Sequence, residues 1–359
     1  MSARAEQTVV FVQTVVPDYR TRFYEDLAQE VGTYTLMAGA ADWATDIAHV
    51  DTVPSVRVRN RYFAGRRLLW QSGVLRAAAS ADVVIASLNP RILSSWVVVL
   101  VRRLRRKPTL LWGHAWPRRG RSDLARDAFR RLASTLIVYT ETEARELREH
   151  RPATDVVAAP NGLYRRAEIG PIPTESATDV VFVGRLNPSK KPVLLVDAFV
   201  AAAPRLAADV RLVFVGDGPQ RDLLEQRAND AELGDRVVFT GHISDVEELR
   251  AVYGQSIVSV SPGYVGLSLI QSLGYGIPML IARDEPHSPE IEALVEGENG
   301  ALFESDSPDA LAVAIVRIAG ERDVWLGRRA MIAELVRTTY TVEHMVAGFA
   351  EALRRSTSP

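Results

Sequence analysis

The strongest constraint on the fold is an alternation of apolar, β-branched runs with segments of helical period, repeated along the whole chain. This pattern is typical of βαβ units, in which helices cover both faces of a buried parallel sheet. In the first half we predict strands over residues 8–15, 82–87, 109–113 and 135–139, and helices over 19–31, 92–105 and 121–133. In the second half the predicted strands are 179–184, 210–215, 236–240, 257–261 and 278–282, and the predicted helices are 192–202, 220–231, 245–253, 267–274 and 308–318.

The length of 359 residues is more than twice the usual domain size of about 150, so two domains are expected. A polar stretch broken by Gly170, Pro171 and Pro173 is typical of an interdomain linker. We predict an N-terminal domain over 1–166, a linker over 167–178, a C-terminal domain over 179–340 and a final helix over 341–359. One face of that helix is apolar, which predicts that it docks back across the domains: Val342, Met345, Val346, Phe349 and Leu353.

Several classes of protein are excluded by what the chain lacks. It contains no Cys, which excludes disulfide frameworks, thiolate metal sites and Cys nucleophiles. No stretch reaches about 18 uncharged apolar residues, and the longest candidate, 92–101, ends at Arg102. The acidic residues between 304 and 309 resemble a helix N-cap rather than a metal site. We therefore expect a cytosolic protein that does not span a membrane and binds no metal.

The two halves differ in charge. Residues 1–170 hold 26 Arg and Lys against 17 Asp and Glu, and the remainder holds 17 against 27. The basic excess is densest at 102–107 and 118–131, where it could face an anionic lipid or an anionic acceptor, or simply form a solvated helix face. Nucleic acid is not expected, because no aromatic residues are interleaved with the basic ones. Only three Lys occur and two are adjacent, Lys190 and Lys191, which predicts a specific role for the pair.

Candidate site residues cluster where predicted strands end, the edge at which open parallel sheets bind ligands. Gly184 and Arg185 follow the strand 179–184, and Lys190 follows after a short turn. A guanidinium and an ammonium so placed could clamp a diphosphate whose charge grows as it departs. The same residues could also form an ordinary loop of solvated charges.

A second strand, 257–261, ends in a glycine-rich segment that runs into a helix: Gly263, Tyr264, Val265, Gly266 and Leu267. Glycine permits close backbone approach, and a helix N-terminus attracts anions, so this segment could form the other wall of a phosphate pocket. A plain strand-to-helix turn is the alternative, and residues 216–219 are interpreted as such a turn. The backbone after a third strand, at Gly241, His242 and Ile243, could bond a nucleobase edge.

Among the six His residues, His114 is the best candidate for a role in the reaction. It follows the strand 109–113 and lies near Trp116 in the sequence, so it is expected at a ligand-binding strand end. There it could donate to a sugar hydroxyl or polarise a reacting group. A packed, satisfied histidine is the alternative.

The motifs in their order resemble family 4 glycosyltransferases of the GT-B fold, and the match spans residues 155–305. They are Pro160-Asn161-Gly162, Val183-Gly184-Arg185-Leu186 with Lys190, Phe239-Thr240-Gly241-His242, Ser261-Pro262 and Gly276-Ile277-Pro278. The N-terminal half is similar more loosely, through residues 16–20 and 112–114, to bacterial surface-polysaccharide enzymes. The resemblance implies two Rossmann-like domains with parallel sheets facing an interdomain cleft, the N-terminal domain binding the acceptor and the C-terminal domain the nucleotide sugar.

The resemblance also implies chemistry. It predicts a metal-independent hexosyltransferase that takes a sugar from a nucleoside diphosphate sugar with retention, a UDP-sugar ahead of a GDP- or TDP-sugar. Arg185 and Lys190 match the family's diphosphate pair, and His114 matches its histidine near the donor sugar. The expected acceptor is a glycan, a lipid-linked sugar or a small molecule, and peripheral contact with an anionic membrane is expected at the inner face of the plasma membrane.

The chain departs from the family at two positions and in one loop. The family carries two glutamates separated by seven residues, and here Gly263 and Gln271 stand in their places. Gln271 could still bond a ribose, whereas Gly263 offers no side chain. The glycine-rich loop that the family has after its first strand is replaced by Pro17-Asp18-Tyr19-Arg20. Two alternatives to an active transferase therefore stay open: a catalytically silent nucleotide-binding or partner protein, and a nucleotide-sugar epimerase of the same architecture.

Overall fold

The computed structural model describes residues 7–43, 49–116, 124–150, 154–174 and 176–357. The chain divides into two units. Unit 1 comprises Met1–Arg165 and Thr341–Pro359, and unit 2 comprises Arg166–Tyr340. Parts of the predicted helix 121–133, of the basic run 118–131 and of the linker 167–178 lie outside the described residues.

Fifteen strands are found in the described residues. They are β1 Val9–Gln13, β2 Tyr34–Ala38, β3 Val56–Arg57, β4 Arg59–Phe63, β5 Leu68–Ser72, β6 Val83–Ser87, β7 Thr109–Trp112, β8 Thr135–Val138, β9 Asp155–Ala158, β10 Asp179–Val183, β11 Leu212–Val215, β12 Val237–Gly241, β13 Ser256–Ser261, β14 Met279–Ala282 and β15 Gly300–Phe303.

Twelve α-helices are found in the same residues. They are α1 Thr21–Val31, α2 Val74–Ser80, α3 Leu93–Leu104, α4 Leu124–Arg130, α5 Glu141–His150, α6 Pro192–Ala202, α7 Arg221–Asp230, α8 Val246–Gly254, α9 Leu267–Gly274, α10 Pro308–Gly320, α11 Arg322–Thr339 and α12 Val342–Ser356. None of these helices has the combination of length and apolar character that crossing a bilayer requires.

Unit 1 is built on a seven-stranded sheet in the order β3-β2-β1-β6-β7-β8-β9, in which every neighbouring pair is parallel. A short antiparallel hairpin, β4-β5, accompanies it. One face of the sheet is covered by a cluster of aromatic rings in which Phe349 of α12 lies 4.8 Å from Phe23 of α1 and 5.8 Å from Phe11 of β1. The apolar face predicted for the C-terminal helix is therefore buried in unit 1.

Unit 2 is built on a six-stranded sheet in the order β12-β11-β10-β13-β14-β15, again parallel throughout. Its strands other than the edge strand β12 are almost wholly buried, because helices cover both faces of a doubly wound sheet. The order reverses at β10, so the loops after β10 and β13 leave the same edge side by side. The prediction of two Rossmann-like α/β domains is confirmed.

Two basic residues, Arg102 and Arg130, are not where the charge pattern placed them, because the side chains of both are buried. Arg102 belongs to the run 102–107 that was predicted to face a partner or solvent, yet its side chain is fully buried. Its guanidinium donates to the carbonyl oxygens of Ala78 at 2.5 Å, Asp82 at 2.7 Å and Pro108 at 2.6 Å. Burial lowers the pKa of Arg102 to about 10. From its place near the end of α3, Arg102 satisfies these backbone carbonyl groups instead of binding an anion.

Candidate functional site

Two loops of unit 2 meet at the edge where neighbouring strands end. Residues 184–191 follow β10, and residues 262–266 follow β13 and lead into α9. The amide of Tyr264 lies 3.4 Å from the carbonyl oxygen of Ser189. The structure therefore brings together most of the residues predicted to line a phosphate pocket.

Gly263 is the point of closest approach between these loops. A Cβ atom added there would lie 2.5 Å from the carbonyl oxygen of Ser189 and 2.9 Å from the carbonyl carbon of Lys190. Real Cβ atoms do not approach backbone atoms so closely, so the position accepts glycine alone unless the loop shifts. This packing explains why no side chain replaces the family's glutamate.

Lys190 joins the two loops through its side chain. It ends a 3-10 helix, Pro188–Lys190, that is capped by the side chain of Asn187. Its Nζ atom donates a 2.7 Å hydrogen bond to the carbonyl oxygen of Tyr264 and lies 4.3 Å from the centroid of that ring. Arg185 is exposed at the end of β10. A guanidinium and an ammonium thus lie at one strand end.

A third loop, which follows β14, supports the segment 264–266 from the other side. The amide of Val265 donates to Nδ1 of His287 at 3.2 Å, and Nε2 of His287 contacts the carbonyl oxygen of Ala282 at 2.7 Å. The hydroxyls of Tyr264 and Ser288 are hydrogen bonded, and the amide of Ser288 donates to Val265 at 3.0 Å. Since Nδ1 accepts, the proton belongs on Nε2 and the ring is neutral.

Burial lowers the pKa of His287, and the Lys190 ammonium lowers it further, whereas the contact with Ala282 and the charge of Glu285 act in the opposite direction. Sequence reasoning missed His287 and Ser288. Their position beyond the end of β14, which neighbours β13 in the sheet, was the available signal.

The turn at residues 216–219, which was interpreted as no more than a lead into a helix, has an additional role. Gly216 has φ +137°, and an added Cβ would collide with the carbonyl oxygen of Gly184. The amide of Gly184 donates to Val215 and that of Leu186 to Asp217, both at 2.9 Å. These bonds fix the start of the loop that carries Arg185.

The predicted nucleobase contacts lie at the end of the edge strand β12. The carbonyl oxygen of Gly241 accepts a 2.8 Å bond from the amide of Gly216, while His242 is exposed and Ile243 is buried. Strand β11 separates β12 from β10 in the sheet. Gly241, His242 and Ile243 therefore lie at the same sheet edge as Arg185 but two strands away.

Leu267 and Gln271 belong to α9, whose first-turn amides lack acceptors within the helix, as at any helix start. The amide oxygen of Gln271 accepts a hydrogen bond from the hydroxyl of Tyr253 at 3.3 Å. Tyr253 is fully buried in α8. Part of the hydrogen-bonding capacity of Gln271 is therefore used within the protein.

The two adjacent lysines have different roles. Nζ of Lys191 lies 2.5 Å from a carboxylate oxygen of Glu285 and 2.5 Å from one of Asp306. Burial disfavours the charged form, but these two acids raise the pKa of Lys191 above its usual value. Lys191 thus ties together three loops of unit 2, whereas Lys190 contacts the segment at 264.

Unit 1 contains a cavity of about 330 Å³ at the carboxyl ends of β1, β6, β7 and β8. Such a volume lies at the lower end of the range for small-molecule sites. Among its lining residues are the predicted His114 and several residues of the loop that replaces the family's glycine-rich segment: Pro17, Tyr19 and Arg20.

His114 packs against the ring of Tyr139, with centroids 4.8 Å apart, and its Nδ1 lies 4.0 Å from a carboxylate oxygen of Glu143. About a third of its side chain is exposed. Trp116, the neighbour suggested by the sequence, donates instead to Glu146 at 2.7 Å. His114 therefore lines the cavity of unit 1, with Tyr139 rather than Trp116 as its aromatic neighbour. Over the described ranges, no group of three or more acidic or histidine side chains is arranged to hold a metal ion.

Residues 169–332 match the family described as glycosyl transferases group 1. The chain is 30% identical over 217 residues to the GDP-mannose-dependent alpha-(1-6)-phosphatidylinositol dimannoside mannosyltransferase of Mycobacterium tuberculosis, covering 56% of this chain and 54% of that protein. It is 30% identical over 255 residues to the D-inositol 3-phosphate glycosyltransferase of Nocardiopsis dassonvillei, covering 65% and 58% respectively.

The crystal structure of Anabaena HepE in complex with UDP has a TM-score of 0.71 at 17% identity, covering 97% of this chain and 100% of that chain. At this identity the likeness shows the fold alone. The chain spans only a little more than half the length of the two curated relatives. The resemblance that the sequence motifs indicated is confirmed to this extent: residues 169–332 are similar to the group 1 glycosyl transferases, and the fold of the chain is similar to that of a solved GT-B protein.

Proposed function

We propose that the protein is a retaining glycosyltransferase that moves a sugar from a nucleoside diphosphate sugar to an acceptor without a metal ion. The observation that carries this proposal is the meeting of two loops at the edge of the unit 2 sheet, where Lys190 bonds to Tyr264 and Arg185 lies at the same strand end. This edge is where doubly wound sheets bind nucleotides.

In the proposed reaction, Arg185, Lys190 and the start of α9 hold the two phosphates of the donor. The bond between the sugar's anomeric carbon and the diphosphate oxygen breaks, and the acceptor oxygen forms the new bond from the same face. The acceptor's proton passes to an oxygen of the leaving diphosphate. Negative charge develops on that group as it departs, so fixed positive charge lowers the barrier.

We propose a UDP-sugar as the donor ahead of a GDP- or TDP-sugar. The solved neighbour holds UDP, whereas the mycobacterial relative is named for its use of GDP-mannose. Backbone atoms of Gly241, His242 and Ile243 would contact the base, and Gln271 the ribose. His114, at the cavity of unit 1, would donate to a hydroxyl of the donor sugar.

The acceptor is proposed to bind in unit 1 and to be a glycan, a lipid-linked sugar or a small molecule. The names of the two relatives include a phosphatidylinositol mannoside and an inositol phosphate. We also propose contact with an anionic membrane through the end of α3, where Leu104 is 86% and Leu100 is 46% exposed. Arg103 and Arg105, both exposed, flank Leu104, and basic residues beside exposed apolar ones favour anionic lipid.

The test of the transferase proposal is a donor panel. Purified protein is incubated with UDP-, GDP- and TDP-sugars, and released nucleoside diphosphate is measured with and without glycan and lipid acceptors, in the presence of a chelator. We expect release from at least one donor, with loss of at least tenfold in an Arg185→Ala, Lys190→Ala double variant.

The matched control for the double variant is Arg205→Ala. Arg205 is exposed and precedes β11, so it lies at the opposite edge of the sheet. Full activity of the double variant would contradict the proposal. Nucleotide binding without any release would instead identify a catalytically silent protein.

A further inference from the structure

We infer that the cavity of unit 1 recognises an acceptor that carries an acidic group, a phosphate or a carboxylate, and that Arg20 is the residue that binds this group. The inference rests on the proposed function, because it names the chemistry of the acceptor. It is carried by the contacts of Arg20 and by the charges that line the cavity.

The guanidinium of Arg20 is surrounded by neutral groups. It lies 4.4 Å from the centroid of the Trp112 ring and 5.4 Å from that of Tyr19, and its Nη2 donates to the amide oxygen of Asn161 at 3.1 Å. Within the described part of the chain, no carboxylate pairs with Arg20. By contrast Arg165, also near α1, is bonded to Glu25 and Asp26.

A half-buried guanidinium without a carboxylate partner is a costly arrangement for stability. Aromatic faces and one amide oxygen orient the fork of Arg20 but do not neutralise it. An arriving phosphate or carboxylate would supply the missing negative charge, and the planar fork would bind two of its oxygens. The side chain is therefore arranged for an anionic ligand rather than for an internal ion pair.

The other charged residues of the cavity also favour an anionic ligand. Among the described residues, the cavity is lined by three arginines and one aspartate, so positive charge is in excess there: Arg20, Arg91, Arg126 and Asp42. Arg91 donates to the carbonyl oxygens of Arg67 and Arg66 at 2.7 and 3.0 Å, and Arg126 to those of Leu88 and His114 at 2.9 and 3.0 Å. These hydrogen bonds fix the guanidinium groups of Arg91 and Arg126 at the cavity.

Asp42 also has an internal partner, because it accepts a 2.7 Å hydrogen bond from the hydroxyl of Thr14. A cavity of about 330 Å³ has room for a phosphorylated sugar or polyol. The same acidic group could arrive on a soluble ester or on a lipid headgroup, and its recognition chemistry is identical in the two cases.

The test measures binding of probes to the full chain by calorimetry. The soluble probes are inositol 3-phosphate, inorganic phosphate and neutral inositol, and the lipid probe is a phosphatidylcholine vesicle with or without phosphatidylinositol. We expect binding of the phosphorylated probes but not of neutral inositol. An Arg20→Gln variant should lose at least about tenfold in affinity, and Arg20→Lys should lose part of it. Binding of the soluble probes would indicate a soluble ester, whereas binding of the phosphatidylinositol vesicle alone would indicate a lipid headgroup.

The control variant is Arg59→Gln, an exposed residue of β4 that does not line the cavity. It should bind every probe as the parent does, and melting temperatures verify that all variants are folded. UDP and GDP binding is measured in parallel and should be unchanged in Arg20→Gln. The inference would be overturned if the parent bound charged and neutral probes equally, or if it bound no phosphorylated probe. It would also be overturned if Arg20→Gln lost affinity for nucleotides alone. Failure of the parent to bind any nucleotide would count against the proposed function instead.

Discussion

The ammonium of Lys190 and the carbonyl oxygen of Tyr264 lie 2.7 Å apart, although 74 residues of sequence separate them. The bond joins the loops that follow β10 and β13, and it fixes a positive charge beside the start of α9. Close to this bond, Gly263 allows the backbones of the two loops to approach each other, and Nδ1 of His287 accepts a hydrogen bond from the amide of Val265. The candidate donor site is thus built largely from main-chain atoms, which leave few side-chain signatures in a sequence.

Gly263→Ala should destabilise unit 2 and weaken nucleotide binding. The added methyl group would meet the carbonyl oxygen of Ser189 at 2.5 Å, so the loops must separate. We expect a loss of about 1–3 kcal/mol in the free energy of unfolding, measured by urea denaturation.

The matched control for this substitution is Gly327→Ala. Gly327 lies within α11 and has no atom within 4 Å of an added Cβ, so the change should be neutral or slightly stabilising. Equal effects of the two substitutions would show that the contact at Gly263 is unimportant.

His287 should make stability depend on pH near neutrality. Its pKa is lowered in the folded protein from a usual value of 6.5, chiefly by burial, so the unfolded chain binds more protons below neutrality. Stability is therefore fully present above about pH 6.5 and falls as the pH drops towards the folded pKa. Urea unfolding at several pH values between 5 and 8 measures this slope.

The variant His287→Asn isolates this effect. An asparagine oxygen can still accept from the amide of Val265 but does not titrate. His49 also has a pKa lowered by burial, so the comparison is the difference in slope between parent and variant. Identical slopes would mean that His287 does not contribute.

Arg102→Leu should be one of the most damaging substitutions in unit 1. It leaves several carbonyls without a donor, since the guanidinium bonds to Ala78, Ala81, Asp82 and Pro108. We expect a loss of about 3 kcal/mol or more, whereas Arg105→Ala on the exposed side should change stability by less than about 0.5 kcal/mol. Similar losses of stability in the two variants would contradict the burial of Arg102 and would favour a basic helix face that is solvated throughout.

Leu104→Glu should weaken binding to anionic vesicles without altering nucleotide affinity. Leu104 is 86% exposed, so the substitution removes apolar surface and adds a repulsive charge at little structural cost. Flotation with phosphatidylglycerol vesicles measures the effect, and Leu223→Glu in unit 2, at a residue 41% exposed, is the control. Unchanged flotation of the Leu104 variant would exclude α3 as the membrane contact.

The parallel sheets were predictable because buried strands such as β10 and β13 are short apolar runs bounded by glycine and proline. Less regular elements were missed. Helix α11 buries Trp325, Arg329 and Ile332 on one face, and an arginine at a core position conceals the apolar period. In the hairpin β4-β5, exposed and half-buried residues alternate along β4, and half-buried and buried residues alternate along β5. No helix follows β4 to mark a βαβ unit.

The candidate site was predictable to a similar extent. Arg185, Lys190 and His114 could be named because charged or ionisable side chains after a strand have an obvious use at a sheet edge. The burial of Arg102 was hidden, since a run of basic residues looks alike whether one member faces inward or not. His287 could not be assigned to the site from the sequence, because it reaches the segment 264–266 only through the adjacency of β13 and β14 in the sheet.

The proposed binding of a nucleoside diphosphate by Arg185 and Lys190 is tested by calorimetry with UDP and GDP on the parent, on Lys190→Ala and on Arg185→Ala, with Arg205→Ala as the control. We expect at least one nucleotide to bind the parent and the control equally. Each of the other two variants should bind about tenfold or more weakly. Unchanged affinity in both Lys190→Ala and Arg185→Ala would contradict the proposed binding.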